Sequence, residues 1–425
     1  MLDRRDFLLR CGLAFPAATL AAATAAQAAG AAGRRPDDPD LDDWEQVRGL
    51  FAIDPGKAQF AGFFLASHPK PVRDAIERYR RELDANPIRA IHEIRREREA
   101  AVAAAAARYL HVQPEDIALT DSTTMGLGLL YSGLRIRPDQ EILSSEHDHY
   151  STRTALAFGA VRSEAQIVQA PLYRRSSEAT AEEIVDSIVS RITPRTRIIA
   201  VTWVHSKTGL QFPVRALAEA IRPHNAGRDE ADRILLCVDG VHGIGAVPGD
   251  PADMGCDFFI AGTHKWIFAP RGTGLVWGRP DAWPQAAPII PPFGPHEPPG
   301  SLHTPGGFHS FEHRWAADEA FALHERIGKS RVYERIRTLN RAIKEGLNSM
   351  AHITLHTPMD DSLSAGIVCF EVDGMEPGEV VDGLWERDIV ASVSPYSPPY
   401  VRLSAGLLNN EAEVEAALRA VRELA

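Results

Sequence analysis

Cysteine is scarce in this sequence, and its four residues lie far apart. Cys11 is close to the amino terminus, whereas Cys237, Cys256 and Cys369 lie in apolar stretches typical of strands. No CxxC pair occurs, and three cysteines, an odd number, follow the amino-terminal segment. We therefore expect neither a disulfide framework nor a structural zinc site. We predict that the last three cysteines are buried and behave as small hydrophobic side chains.

The sequence also lacks a basic patch, and no long apolar run follows the first thirty residues. Its 46 Lys and Arg residues are outnumbered by 57 Asp and Glu residues, which gives a formal net charge of −11. This balance is unlike that of nucleic-acid-binding domains, so we expect no nucleic-acid partner. No GxSxG motif is present, which argues against a serine hydrolase.

The first thirty residues differ in composition from the rest of the chain. The pair Arg4-Arg5 precedes a short run rich in Ala and Leu, which ends in Ala26-Gln27-Ala28. The small-x-small triplet is typical of signal-peptide cleavage sites, and paired arginines are typical of twin-arginine export signals. We predict a signal peptide over residues 1–28 and a periplasmic or otherwise exported protein. The alternatives are a disordered Ala-rich leader and a membrane anchor, although the run is short for a permanent span.

The central part of the chain alternates between two kinds of pattern. After a predicted linker and amino-terminal segment over residues 29–70, short apolar runs alternate with helical stretches, which predicts an α/β domain over residues 71–300. Its sheet would be mostly parallel, seven-stranded and covered by helices on both faces, with ligands bound beyond the carboxyl ends of the strands. The predicted strands are 117–120, 141–144, 167–169, 198–202, 234–239, 258–261 and 274–277.

The last part of the chain carries a different pattern. Residues 301–425 predict a smaller α+β domain, with a long helix over about 315–350, strands near 367–372 and 401–404, and a final helix over 411–424. With 425 residues the chain is long enough for such a two-part arrangement.

Two of the predicted strands end in side chains of complementary chemistry. The strand 234–239 ends in Asp239, and the strand 258–261 is followed by Lys265. A pyridine-ring aldehyde cofactor needs both groups, because its aldehyde condenses with a lysine amine and a buried carboxylate favours the protonated ring nitrogen. The alternative is a salt bridge at a domain edge, which is common for a single Asp/Lys pair.

Polar clusters also follow three other strands. Segment 121–126 opens a helix with Ser and Thr, where free amides suit a phosphate, although ordinary helix capping explains it too. Segment 145–150 offers flat side chains that would stack on an aromatic ring, or simply form a polar turn. Ser206 lies in segment 204–209, where its hydroxyl would reach a phenolic oxygen, unless the segment is an ordinary glycine turn.

Taken in this order, the four clusters resemble one family. The sequence from about residue 60 to the carboxyl terminus resembles class V aminotransferases, which have fold type I and use pyridoxal 5′-phosphate. The most specific stretch is 236–277, with its Asp-Gly-Val-His and Thr-His-Lys-Trp motifs. The resemblance is greatest to the branch of isopenicillin N epimerase, and it implies a homodimer. Twin-arginine signals export folded proteins, which suits a protein that acquires its cofactor before export.

The resemblance implies a role for each matching residue around the cofactor. Lys265 would hold the aldehyde as a Schiff base and shuttle the α-proton, and Asp239 would pair with the ring nitrogen. His149 would stack on the ring face, with Tyr150 as the competing choice. Lys265, Asp239 and His149 are thus the implied catalytic residues. The other implied cofactor contacts are His242 and Ser206 near the phenolic oxygen and Thr123, Thr124 and His264 at the phosphate.

The resemblance also implies how the substrate is recognised. Arg402 matches the family arginine that binds the substrate carboxylate, and a guanidinium suits a carboxylate because it donates two parallel hydrogen bonds. A surface ion pair is the alternative for a lone arginine. The substrate would be a small amino-acid-like molecule.

Two departures from the family pattern affect these implications. Many relatives have a Gly-Thr pair where this chain has Glu312-His313, so His313 or Ser310 would have to supply the contact to the partner subunit's phosphate. Cysteine desulfurases need a mobile catalytic cysteine, whereas Cys369 lies in an apolar strand, where a reactive thiolate is disfavoured. We therefore set aside desulfurase activity.

The remaining histidines do not suggest a metal site. The spacing of the histidines in the later part of the chain matches neither a metal-binding pair on one helix face nor a zinc finger. We therefore predict that they line a polar rim of the active site and bind no metal. They are His296, His303, His309 and His313.

The sequence leaves the reaction open. Class V aminotransferase activity is our first expectation, and an epimerase or a carbon–sulfur (β-elimination) lyase are the alternatives. A non-catalytic binding protein with the same fold is a remote one, because it would be expected to have lost Lys265 or Asp239.

Overall fold

The computed structural model describes residues 39–294 and 297–424. The predicted signal peptide, Cys11 and His296 lie outside these residues. Within the described ranges, no helix has both the length and the apolar character needed to cross a membrane.

The strands lie in three sheets, and they are numbered in chain order. They are β1 (Ala58–Gln59), β2 (Ile117–Thr120), β3 (Glu141–Ser145), β4 (Gln166–Ala170), β5 (Thr196–Thr202), β6 (Leu235–Asp239), β7 (Phe258–Gly262), β8 (Gly274–Gly278), β9 (Ile353–Leu355), β10 (Val368–Val372), β11 (Ile389–Val390), β12 (Ser392–Val393) and β13 (Val401–Leu403).

The α-helices are numbered in the same way. They are α1 (Trp44–Gly49), α2 (Lys70–Ala85), α3 (Pro87–Arg89), α4 (Arg95–Leu110), α5 (Thr123–Gly133), α6 (Tyr150–Ser163), α7 (Ala181–Val189), α8 (Val214–Asn225), α9 (Pro251–Met254), α10 (Phe311–Trp315), α11 (Ala317–Ile327), α12 (Lys329–Asn348), α13 (Pro377–Trp385) and α14 (Glu411–Arg422).

The central sheet has seven strands in the order β2-β8-β7-β6-β5-β3-β4. β8 is antiparallel to both of its neighbours, and the other pairs are parallel. All the residues of β5 are buried, as expected for a strand covered on both faces. Its side chains alternate between two apolar cores, with Ile199 and Val201 on one face and Ile198 and Ala200 on the other. The predicted α/β architecture is confirmed.

A second, antiparallel sheet lies near the carboxyl terminus. Its strands have the order β12-β13-β10-β9. Helices α12, α13 and α14 pack on it, and Leu339, Val380 and Val414 are among the side chains that fill this core. Phe60, from the amino-terminal segment, is buried in the same core, and β1 pairs with β11. The predicted domain boundaries stay predictions.

The long helix predicted over residues 315–350 is wrong, because the structure breaks it. Helix α11 ends at Ile327 and helix α12 begins at Lys329. Gly328 lies between them with a φ of 94°, a backbone conformation that residues with a Cβ rarely adopt. A π-helical turn over Ala90–Ile94 separates helices α3 and α4.

Candidate active site

The carboxyl end of β6 presents a buried carboxylate. Asp239 is 2% exposed, and its two oxygens accept hydrogen bonds from Thr152 Oγ1 (3.0 Å) and the Val241 amide (3.2 Å). Burial raises the pKa of Asp239 to about 6, against the opposing effects of these hydrogen bonds and of Lys265. The group is held in one orientation, and the arrival of a protonated ring nitrogen would offset its buried charge.

The turn after β7 brings a lysine to the same site. Lys265 Nζ lies 3.2 Å from His242 Nε2. Burial lowers the pKa of Lys265 to about 8, although Asp239 favours its charged form. Burial and the nearby Lys265 also lower the pKa of His242 well below its usual value. A lysine with a lowered pKa has a larger neutral fraction, which is the form that attacks an aldehyde.

The turn after β3 depends on a carboxylate that the sequence patterns did not single out. Asp148 is 1% exposed, and its Oδ2 accepts from Ser144 Oγ (3.0 Å), the Ser145 amide (2.9 Å) and Ser145 Oγ (2.9 Å). Its Oδ1 accepts from the Thr202 amide (2.9 Å). Asp148 therefore joins the ends of β3 and β5 and fixes the residue that follows it.

That residue is His149, which the structure places at the start of α6. Its Nδ1 accepts from the Ser151 amide (3.2 Å), so the ring proton is on Nε2. Burial, followed by the charges of Lys265 and Arg402, lowers the pKa of His149 to about 4, which keeps the ring neutral. Tyr150, the competing choice, is 54% exposed. Of the two, His149 is the less exposed, and the charges of Lys265 and Arg402 act on it.

The residues predicted to hold the phosphate surround one glycine. Thr123 is the first residue of α5, and its Oγ1 accepts from the Gly262 amide (2.7 Å). His264 Nδ1 donates to the Thr273 carbonyl (3.2 Å). A Cβ at Gly262 would lie 2.8 Å from Thr123 Oγ1 and 3.0 Å from the His264 ring, so only glycine leaves this space open. Thr124 is exposed on the first turn of the helix.

These observations fit a pyridoxal phosphate. The free amides of the first turn of α5 suit an anion, and the lack of a Cβ at Gly262 leaves space for it beside them. His242 Nδ1 is buried and finds no hydrogen-bond partner within the described ranges, so a polar ligand atom would satisfy it. Asp239 and Lys265 supply the groups that the ring nitrogen and the aldehyde require.

The carboxy-terminal sheet contributes an arginine to the site. Arg402 lies on β13, is 3% exposed, and donates to the Ser206 carbonyl (3.1 Å), the Val393 carbonyl (3.0 Å) and Ser392 Oγ (3.3 Å). Its guanidinium lies 4.8 Å from the centre of the Phe63 ring. All of these partners are neutral, which leaves the positive charge available for a carboxylate.

A tyrosine that the sequence did not indicate also reaches the site. Tyr396 Oη and Ser206 Oγ share a hydrogen bond of 2.7 Å. The predicted contact of Ser206 with a phenolic oxygen would therefore share or replace this bond.

Ser310 and His313, which stand near the position of the Gly-Thr pair of many relatives, lie at the amino end of α10. His313 Nδ1 donates to the Arg271 carbonyl (2.9 Å), and Ser310 is exposed at the start of the helix. Arg314 is buried and forms an ion pair with Asp121 (2.9 Å), immediately before the phosphate helix. Whether any of them contacts a partner subunit stays a prediction.

The three cysteines in the described residues have buried side chains. They are Cys237, Cys256 and Cys369, and their burial is as predicted. Burial raises the pKa of Cys369 to about 12, so its thiolate is strongly disfavoured. In residues 39–294 and 297–424, no three His, Cys, Asp or Glu side chains are grouped as metal ligands would be.

Comparison with known proteins identifies the family. Residues 66–416 match the family model of class V aminotransferases. The chain belongs to this family. The predicted resemblance is thereby confirmed, and with it a pyridoxal phosphate enzyme of this class. The roles of single residues remain proposals.

Relatives within the family have several activities. The chain is 28% identical over 395 residues to an isopenicillin N epimerase of Streptomyces clavuligerus, which covers 88% of this chain and 96% of that protein. It is 28% identical over 384 residues to a probable cysteine desulfurase of Pseudomonas aeruginosa, covering 82% and 89%. A solved complex of the cystine C–S lyase C-DES with cysteine persulfide has a TM-score of 0.79 at 21% identity and covers 87% of this chain and 98% of that one. This last likeness confirms the fold.

Proposed function

We propose that this protein is a pyridoxal phosphate-dependent epimerase that inverts the configuration at the α-carbon of an amino-acid-like substrate. The observation that supports it most is the almost full-length similarity to two isopenicillin N epimerases, at 28% and 25% identity, in a chain that has a complete candidate site. The sequence alone favoured transamination, which uses the same residues for its first steps.

The proposed site divides the work among its residues. Asp239 keeps a proton on the ring nitrogen, and the bound cofactor then serves as an electron sink for the α-carbon. Thr123, Thr124 and His264 hold the phosphate. His149 lies against the ring, and Ser206 and His242 lie near the phenolic oxygen.

Two side chains act on the substrate itself. Arg402 binds its carboxylate and so fixes the orientation of the α-carbon, because the guanidinium has no carboxylate partner within the described ranges. Lys265 Nζ would hold the cofactor aldehyde before the substrate binds, and as a free amine it would be the base that takes the α-proton. Its pKa of about 8 suits a base that works near neutral pH.

The cysteine chemistry of the desulfurase relatives does not suit this chain. The cysteines outside the amino-terminal segment are Cys237, Cys256 and Cys369, and all three are buried. A persulfide-forming thiol must reach the substrate, and burial also disfavours its thiolate. A carbon–sulfur lyase that needs no thiol of its own remains as a competitor in the assay.

The test is a product analysis with single enantiomers. Purified protein loaded with pyridoxal phosphate is incubated with isopenicillin N and with a panel of L- and D-amino acids, and products are resolved by chiral chromatography. We expect the opposite configuration at the α-carbon without net formation of a 2-oxo acid. Stoichiometric 2-oxo acid would instead establish transamination, and release of ammonia with the side-chain sulfur would establish elimination.

Two variants make this assay specific. Lys265→Ala should have no activity, and a visible absorbance band sensitive to borohydride should be absent. Lys70→Ala is the matched control, because Lys70 is exposed on α2 and pairs with Asp74 of its own helix. Normal turnover by Lys265→Ala would contradict the assignment of the anchor.

We also propose that the protein is a homodimer, as the resemblance implies. Phe293 and Phe308 contact each other with ring centres 5.6 Å apart, and Phe308 is 81% exposed. An exposed aromatic pair of this kind is typical of an interface. Light scattering coupled to size-exclusion chromatography should give twice the mass of one chain, and a monomer at micromolar concentration would refute the proposal.

A further inference from the structure

A short loop of the carboxy-terminal sheet holds a tyrosine beside the candidate site. The loop joins β12 to β13 and is closed by two hydrogen bonds, from the Ser394 amide to the Tyr400 carbonyl (2.8 Å) and from the Tyr400 amide to Ser394 Oγ (2.8 Å). Lys207 Nζ donates to the Ser397 carbonyl (3.0 Å), which ties the loop to the turn after β5. Tyr396, at the centre of this loop, is therefore fixed in position.

The phenol of Tyr396 faces the groups that surround the proposed cofactor. Its Oη shares the 2.7 Å hydrogen bond with Ser206, and its ring meets the His149 ring edge-on with centres 6.0 Å apart. Burial raises the pKa of Tyr396 to about 12, although Ser206 and the nearby Arg402 oppose this effect. The phenol thus keeps its proton near neutral pH, and it can donate that proton.

Lys265 and Tyr396 approach the site from different elements. Lys265 follows β7 and lies beside His242, whereas Tyr396 comes from the carboxy-terminal loop and lies beside His149. Inversion of a carbon centre requires a proton to leave from one side and another to arrive on the other side. Two proton carriers on separate sides of the substrate provide this, whereas one lysine alone returns the proton to the side from which it came.

We propose that Tyr396 is the second catalytic acid of this site and delivers a proton to the α-carbon from the side of His149, opposite Lys265. This inference rests on the proposed epimerase function. The Cα–H bond breaks as an Nζ–H bond forms on Lys265, and the electron pair left on the α-carbon then takes the proton of Tyr396 Oη. The phenolate that remains is stabilised by the Ser206 hydroxyl and the charge of Arg402, and proton exchange with solvent restores both groups.

The test compares Tyr396→Phe with Tyr400→Phe in deuterium oxide. Both changes remove only a hydroxyl from the same loop, and Tyr400 is the control because its ring stacks on His356, with ring centres 3.7 Å apart. Chiral chromatography and NMR follow inversion and α-deuterium incorporation separately. For Tyr396→Phe we expect inversion to fall at least ~100-fold, the usual size of a general-acid effect. Exchange with retained configuration should continue through Lys265, and Tyr400→Phe should behave as wild type.

The possible outcomes are distinct. Inversion by Tyr396→Phe at the wild-type rate overturns the proposal, and an equal loss of exchange and inversion overturns it too, because it would show a positioning role. A wild-type protein that never inverts its substrate refutes the proposed function before any variant is compared.

A titration of the apoprotein tests the contact without turnover. Several buried tyrosines share a raised pKa, so ultraviolet difference spectra should show one fewer phenol of high pKa in Tyr396→Phe than in wild type. In Ser206→Ala the pKa of this phenol should rise further, because the hydrogen bond from Ser206 stabilises the phenolate. An unchanged pKa in Ser206→Ala would show that the two hydroxyls do not meet, and would overturn the proposed stabilisation.

Discussion

Replacing Asp148 with alanine should destabilise the protein and disturb the site at once. The change leaves two buried backbone amides, those of Ser145 and Thr202, without the acceptor that now lies 2.9 Å from each. A buried amide that loses its acceptor costs about 1–3 kcal/mol, so the two together cost ~2–6 kcal/mol. The hydroxyls of Ser144 and Ser145 add less, because they can rotate toward other acceptors. His149 follows in the chain and loses its fixed position, so affinity for pyridoxal phosphate should fall as well.

Urea unfolding of the apoprotein, followed by tryptophan fluorescence, measures this loss. Asp148→Asn keeps the shape but turns one oxygen into a donor, so it should cost about 1–3 kcal/mol, between wild type and alanine. Asp186→Ala, at an exposed position on α7, should stay within ~0.5 kcal/mol of wild type. If Asp148→Ala matched that control, the reasoning that Asp148 joins β3 to β5 through buried amides would be refuted.

Four further predictions concern charge and pH. The rate of covalent loading with pyridoxal phosphate should rise with pH and level off above about 8, the pKa of Lys265, because the neutral amine is the form that reacts. Stopped-flow absorbance measures this rate, and a rate independent of pH would contradict the prediction. Burial raises the pKa of Asp239 from 3.8 to about 6, so the folded state favours its protonated form, and apoprotein stability from this group is lost as pH rises from 4 to 6. The advantage of Asp239→Asn over wild type in urea should grow by ~2 kcal/mol across that range, and a constant difference would contradict the shift. Arg402→Lys should weaken binding of amino acids, read from the cofactor absorbance, about 10-fold or more, because the bidentate contact is lost; unchanged affinity would remove Arg402 from the substrate site. Replacing Arg4 and Arg5 together with Lys should block export, and normal accumulation in the periplasm would count against a twin-arginine signal.

Much of the central sheet could be predicted from the sequence for a simple physical reason. Buried strands appear as short apolar runs, and most of the seven are bounded by polar residues or glycine. The predicted ends are within two residues of the observed ones, as for 198–202 against Thr196–Thr202. The two-residue strands β1, β11 and β12 were not predicted, because so few residues carry no periodicity.

The sequence pattern does not reveal the helix break at Gly328. Apolar residues recur with helical spacing on both sides of it, and a single glycine does not by itself end a helix. Only the tertiary structure shows that α11 packs with the central domain, where Phe321 is buried, while α12 fills the carboxy-terminal core with Leu339.

The sequence pattern predicts some of the residues of the candidate site and not others. Asp239 and Lys265 end apolar strands, so their place at the sheet edge follows from the pattern. Asp148 acts through hydrogen bonds that no spacing reveals. Tyr396 lies in a Pro-rich segment without periodicity and meets Ser206 across 190 positions of the chain, so only the fold brings them together.

The hydrogen bonds of Arg402 couple the binding of a ligand to the contact between the two sheets. Its guanidinium bonds to the Ser206 carbonyl at the end of the central sheet and to the Val393 carbonyl in the carboxy-terminal sheet. A carboxylate that takes up the same donors must compete with these carbonyls, so binding loosens or re-forms the link between the two sheets. The residue proposed to recognise the substrate thus also links the two sheets, and an amine without a carboxylate would leave that link in place.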